Sequence, residues 1–272
     1  MILSTPPLAC QGESRVLALV KRSGLVLGDF WVTSAKILAS KKVTSMSKAL
    51  VVFSGGQDST TCLYWAKERF DSVHTVTFDY AQRHHREIES ARQIAAIAGV
   101  PHEVISLGPV FAGISPLTDL SRDVDKFADS ESLPGGLAQT FVPGRNIMFF
   151  TVAANRAYVL DCDTIVVGVA QQDYGGYPDC REDFVRKLED AIASGLDRRI
   201  NISAPLMHMT KSQTVELAKT LPGCLEALAL STTCYEGQCP PCGKCHSCLL
   251  RQKGFAQAGI VDPLIARVGC EV

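Results

Sequence analysis

The 272-residue chain contains no apolar run of membrane-spanning length, no excess of either charge sign and no internal repeat or low-complexity tract. A spanning helix needs about twenty consecutive apolar residues, so no transmembrane helix and no membrane partner are expected. With 27 Lys and Arg against 28 Asp and Glu, the formal net charge is −1. A broad basic face of the kind that neutralises a nucleic-acid backbone is therefore not expected, and a small anionic substrate fits better. A convincing export signal is missing too. The stretch from Leu25 to Trp31 follows Lys21-Arg22, but Gly28-Asp29 interrupt it, and a reducing, cytoplasmic setting is expected.

What is present is ample core material. Hydrophobic residues make up 46% of the chain and charged residues 20%, the balance of an ordinary globular protein. Short apolar runs alternate with helical stretches. Ala49 to Phe53 reads as a strand, Ser59 to Phe70 as a helix and Val73 to Phe78 as a second strand. A helix from His85 to Ala98 stops at Gly99 and Pro101, and His102 to Leu107 alternates like a third strand. Further on, Ile147 to Leu160 reads as a buried helix. Thr164 to Ala170 is so uniformly apolar that both of its faces must be covered. The fold class is α/β, a doubly wound parallel sheet. Three regions are expected: an N-terminal extension over 1–45, which a translation start at Met46 would leave out; the main domain over 46–230; and a cysteine-bearing C-terminal segment over 231–272, packed on the main domain. Asp119 to Gly136, rich in Ser, Asp and Gly, reads as a long mobile loop.

The first strand ends in Phe53-Ser54-Gly55-Gly56-Gln57-Asp58-Ser59-Thr60. Backbone N–H groups and the positive end of the following helix converge there on an anion-sized space. The glycines let the backbone approach, and the hydroxyls of Ser54, Ser59 and Thr60 add donors, which suits the polyphosphate of ATP. A tight turn with an Asp or Ser helix cap would use the same residues. The Gly-Lys-Ser/Thr ending of a Walker A loop and the dinucleotide fingerprint are both absent.

Five of the 11 cysteines fall between Cys234 and Cys248. Cys234, Cys242, Cys245 and Cys248, kept in turns by Pro240-Pro241 and Gly243, have the spacing of a tetrahedral structural zinc site. Cys239 is a fifth candidate, and an iron–sulfur cluster or a disulfide pair are the other readings of the same residues. Cys62, Cys162, Cys224 and Cys270 read as small buried hydrophobes, while Cys180 is less clear.

The Ser54 to Ser59 segment resembles the SGGxDS signature of the PP-loop ATP pyrophosphatases, which implies adenylation of a substrate oxygen followed by its displacement. Five segments in one order resemble a single family of that superfamily: FSGGQDSTTCL at Phe53–Leu63, Gln82-Arg83-His84, FVPGRN at Phe141–Asn146, DYGGYPDCR at Asp173–Arg181, and the cysteine cluster followed by Leu249-Leu250-Arg251. That family is 7-cyano-7-deazaguanine synthase, of queuosine biosynthesis. The resemblance covers about residues 48 to 264 and departs where Ala81 replaces a common Gly and Gly175 a common Ser. It implies a ligase that makes a nitrile from 7-carboxy-7-deazaguanine and ammonia, with ATP used twice, as well as Mg2+, one structural zinc and a homodimer.

On this resemblance the nucleotide site spans Phe53, Ser54, Gly55, Gly56, Gln57, Asp58, Ser59, Thr60, Thr61, Cys62 and Leu63. Asp58 is the nearest carboxylate to orient Mg2+, with an N-cap role beside it. Arg145 and Lys211 are the catalytic candidates for stabilising phosphate charge, against surface solvation. Asp173, Tyr174, Tyr177, Asp179 and Arg181 follow a buried strand and so lie at the carboxyl edge of the sheet, where ligands bind; the ring needs the aromatic face and carboxylate that they supply. His84 and His85 are either phosphate donors or a solvated helix start, with His84 expected to face the site. A tRNA-thiolating relative is the rival function, but no basic extension is present. A glutaminase domain would not fit in the chain left after Cys248.

Overall fold

A computed structural model of the chain describes residues 46–133, 135–171 and 176–269. The N-terminal extension, Asp173, Tyr174 and Cys270 lie outside the described residues. The sheet comprises β1 (Lys48–Val52), β2 (Ser72–Asp79), β3 (His102–Ser106), β4 (Thr164–Val166) and β5 (Asn201–Ser203). Their spatial order is β3-β2-β1-β4-β5, with every pairing parallel. Chain order reverses beside β1, whose neighbours are β2 on one side and β4 on the other. The crevice beyond the carboxyl ends of β1 and β4 is thus the switch point at which ligands bind in open α/β sheets.

Alternation along β1 divides the core. Ala49, Val51 and Phe53 face α1 (Gln57–Lys67) and α2 (Arg86–Ala98), together with Cys62, Leu63, Ala91 and Ile94. Leu50 points the other way with Val76, Ile165 and Ile202, towards α3 (Arg145–Val159) and α4 (Glu182–Leu196). Ala153, Ala154 and Ala157 are almost fully buried in this second layer, and such small side chains let α3 lie close to the sheet. Cys62, Cys162 and Cys224 are buried. No helix among the described residues is long and apolar enough to cross a membrane.

The paired part of β4 is shorter than the apolar run from Thr164 to Ala170 indicates. At Gly168 a Cβ would lie 3.1 Å from the Ser59 amide nitrogen, so from there the chain passes against the head of α1 instead of alongside another strand.

The C-terminal part packs on this core. α5 (Lys211–Thr220) opens with a capping box between Thr210 and Gln213, which satisfies donors that a helix start leaves unpaired. It crosses α7 (His246–Gln257) at Gly254, where a Cβ would come within 2.8 Å of the Lys211 Cβ. α6 (Cys224–Leu228) and α8 (Pro263–Val268) complete the layer. Arg251 of α7 makes a bidentate pair with Asp262, Nε–Oδ2 2.6 Å and Nη2–Oδ1 2.8 Å, and Asp262 also caps α8 through the Leu264 amide. Arg251 is therefore a buried structural group.

The segment from Asp119 to Gly136, read from sequence as a mobile loop, is anchored. Lys126 bridges Cys245, the Phe127 amide donates to the Lys244 carbonyl, and Val124 is buried against Cys234, Cys245 and Cys248. A run of Ser and Asp conceals this attachment because its partners lie more than a hundred residues away.

Candidate active site and metal centre

At the switch point a cavity of about 360 Å³ opens beneath the phosphate loop, within the size range of small-molecule sites. Ser54, Gly56, Gln57, Asp58 and Ser59 line it. The Ser54 and Ser59 hydroxyls lie 3.1 Å apart, and the Ser59 hydroxyl accepts from the Ser54 amide and donates to the Gly56 carbonyl, bracing the loop internally. Gly55 has φ +82°, and a Cβ there would strike the Ala91 amide nitrogen and the Glu87 carbonyl at 2.6 Å, so only glycine lets α2 seat on the loop. The second half of the expected nucleotide segment behaves differently: Thr60, Thr61, Cys62 and Leu63 are buried in the first turns of α1 and do not line the cavity. A helix that begins at Gln57 turns these side chains into the core.

Both catalytic candidates reach the cavity. Lys211 Nζ lies 2.6 Å from Asp58 Oδ2, whereas Asp58 Oδ1 is buried with no hydrogen-bond partner. A carboxylate oxygen without a donor fits a hard cation such as Mg2+. Arg145 begins α3 after Gly144 (φ +79°). Burial alone would lower its pKa, but Tyr80, Tyr177, Cys180 and Asp179 outweigh that and raise it, so the guanidinium stays charged.

Of the expected ring-binding residues, Tyr177 and Arg181 line the cavity. The Tyr177 hydroxyl lies 2.6 Å from Thr140 Oγ1, and its ring packs against Phe141. Asp179 is buried but does not line the cavity. Its Oδ2 accepts from the Asn146 amide at 3.2 Å, and its carbonyl accepts from Asn146 Nδ2 at 3.1 Å. It fastens the start of α3 to the turn at Pro178–Cys180.

Several wall residues carry no sequence motif that marks them out. Glu87 lies in the first turn of α2, with Oε2 3.4 Å from Nε2 of the buried His84. Burial raises Glu87 to a pKa of about 8 against the opposing pull of Arg145, and burial followed by Arg145 lowers His84 to about 3. Both shifts favour the neutral forms, so the 3.4 Å approach is a contact between two uncharged groups and not a salt bridge. His85, by contrast, is largely exposed. Thr233, Tyr235 and His246 reach the cavity from the cysteine-bearing segment. Gln57 Nε2, His84 Nδ1, Thr233 Oγ1 and His246 Nε2 join Asp58 Oδ1 as buried polar atoms without partners around the same space. Such atoms are rare in folded proteins and mark a cavity built for a polar ligand.

Beside it, the thiol sulfurs of Cys234, Cys242, Cys245 and Cys248 all lie within 4.8 Å of one another, with Cys242 and Cys248 3.9 Å apart. Four thiolates around a tetrahedral zinc, at about 2.3 Å each, stand about 3.8 Å apart, so the donor set fits. Cys239 stays outside the cluster.

The family model for queuosine biosynthesis protein QueC matches residues 48–259. The chain belongs to this family. The 7-cyano-7-deazaguanine synthase of Laribacter hongkongensis is 53% identical over 221 residues, covering 81% of this chain and 95% of that one. The enzyme of the same name from Chromobacterium violaceum is 52% identical over 231 residues, covering 84% and 97%, and that from Gloeobacter violaceus is 49% identical over 225, covering 80% and 96%. Solved structures are more distant. The U34-tRNA thiolase NcsA from Methanococcus maripaludis aligns at 16% identity and a TM-score of 0.39, covering 88% of this chain and 74% of that one, too low to bear on function. Ala81, just after β2, has φ +59°.

Proposed function

We propose that this cavity converts 7-carboxy-7-deazaguanine and ammonia to 7-cyano-7-deazaguanine, with ATP consumed twice. Family membership supports the reaction. The observation that carries the reading is the meeting, in one cavity, of the Ser54–Ser59 loop with Lys211 and Arg145. A carboxylate oxygen attacks the α-phosphorus of ATP and pyrophosphate leaves. Ammonia then displaces AMP to give the amide, whose oxygen is adenylated in turn, and loss of AMP leaves the nitrile. The loop amides and the head of α1 hold phosphate oxygens. Arg145 and Lys211 offset the charge that develops on them. Asp58 is the residue that would hold Mg2+, which neutralises phosphate charge when bound, and its carboxylate is steadied by Lys211.

The four thiolates would hold zinc as a structural ion, since no ligand position is left for chemistry. By fixing Cys234 they place Thr233 and Tyr235 in the cavity wall. Tyr177 and Arg181, with Asp173 and Tyr174 of the same segment, are proposed to flank the ring, while Asp179 acts through Asn146 as a positioning residue. A cytoplasmic homodimer using small molecules, without nucleic acid, completes the proposal. Exposed Ile147 and Tyr158 on α3 offer apolar surface for a second copy.

Incubating the zinc-loaded protein with ATP, ammonia and 7-carboxy-7-deazaguanine, and following nitrile and AMP by mass spectrometry, tests the proposal. Nitrile and AMP are expected to accumulate together; AMP without nitrile, or neither product, refutes it.

A further inference from the structure

The ring of the proposed substrate presents on one edge a ring N–H beside an exocyclic amino group. These two parallel donors match the two oxygens of one carboxylate, as in other bidentate pairs. Among the described residues, the carboxylates that line the cavity are Asp58 and Glu87. Asp58 is engaged by Lys211 at the phosphate end. Asp179, which has suitable chemistry, is turned to the Asn146 amide behind the wall. We propose that Glu87 reads the paired N–H edge of the deazaguanine ring, a specificity role that rests on the function proposed above.

The surroundings of Glu87 suit this task. The α2 backbone at this residue abuts Gly55, so its Cα is set close to the phosphate loop. The side chain is 15% exposed, and its Oε2 lies 3.4 Å from Nε2 of the buried His84. The titratable and charged groups that face it are Arg145 from the head of α3, Tyr80 from the end of β2 and His84 from its own turn. Tyr80 and Phe149, with ring centroids 5.3 Å apart, border the same cavity and supply apolar surface for a flat ring. Burial outweighs Arg145 and raises the Glu87 carboxyl to a pKa of about 8, which favours its protonated form at neutral pH. Two N–H donors docking on it favour the ionised form. Binding at neutral pH therefore expels the carboxyl proton to solvent, without bond changes in the ligand.

Titration calorimetry in buffers of different ionisation heat reads this directly, using the full chain, 7-carboxy-7-deazaguanine and its analogue lacking the 2-amino group. The wild type is expected to release a proton with the amino-bearing ligand and to bind the analogue at least about tenfold more weakly. Glu87→Gln should lose both the proton release and most of the discrimination, while ATP binding is kept. The proposal is overturned if Glu87→Gln still discriminates between the two ligands, or if the wild type binds both equally. It is equally overturned if the variant binds normally and only turnover and its pH profile change, which would make Glu87 a proton acceptor. A wild type that discriminates as expected but forms no nitrile would sink the functional reading and leave the ring assignment standing.

Discussion

Ala81 is exposed and held at φ +59°, a conformation that costs a Cβ-bearing residue about 1–2 kcal/mol. Glycine removes that strain but loses more entropy on folding, so Ala81→Gly is expected to stabilise the protein by about 0.5–1 kcal/mol. Urea unfolding checks this: the midpoint should rise with the slope unchanged. Glu87 and His84 give a second expectation at this scale. Folded Glu87 keeps its proton up to about 8 instead of 4.5, so its contribution to stability falls as pH rises through that window. His84, at about 3 instead of 6.5, contributes the opposite slope up to 6.5. Above that only Glu87 remains, and Glu87→Gln should abolish the decline in unfolding midpoint measured between 6.5 and 8. That Ser54, Asp58 and Arg145 line the cavity was legible in the sequence, because each stands in a motif with a turn or helix start beside it. Glu87 was not, since one acidic residue in a first helical turn is also what the helix dipole favours. Asp179 stood in the right motif, but whether its carboxylate faces a ligand or a backbone amide depends on where α3 begins.

Among the elements, strands and helices were readable from periodicity and from stops such as Gly99, whose φ is +68°. The end of β4 was not, because pairing stops where Gly168 meets α1, a contact between distant segments. The attachment of the 124–127 segment to the knuckle was hidden for the same reason. The Arg251–Asp262 pair joins α7 to α8 and is almost fully enclosed, with side chains 4% and 9% exposed. Asp262→Ala leaves that guanidinium without its partner and uncaps α8, and should cost about 3–5 kcal/mol in stability. Thermal unfolding of the variant measures the loss, and an unchanged melting temperature would contradict the account.

For the whole molecule, the four-cysteine cluster and the cavity are one construction. Removing zinc with a chelator should release the segment bearing Thr233 and Tyr235 and the attached strip around Lys126. Ring binding is expected to fall about tenfold or more, with ATP still held by the loop and α1; parallel titrations of the two ligands before and after chelation test this. Equal loss of both would mean that the knuckle supports the entire fold. The Gly55 carbonyl accepts its hydrogen bond from the Thr232 amide, and Ser90 of α2 meets the Thr232 hydroxyl at 2.8 Å. During synthesis, then, the nucleotide loop leaves the ribosome early but waits for 177 further residues, from Gly55 to Thr232, before its closing strut arrives. A nascent or prematurely terminated chain would carry the entire Ser54–Ser59 signature and still lack the Thr232 amide that braces it.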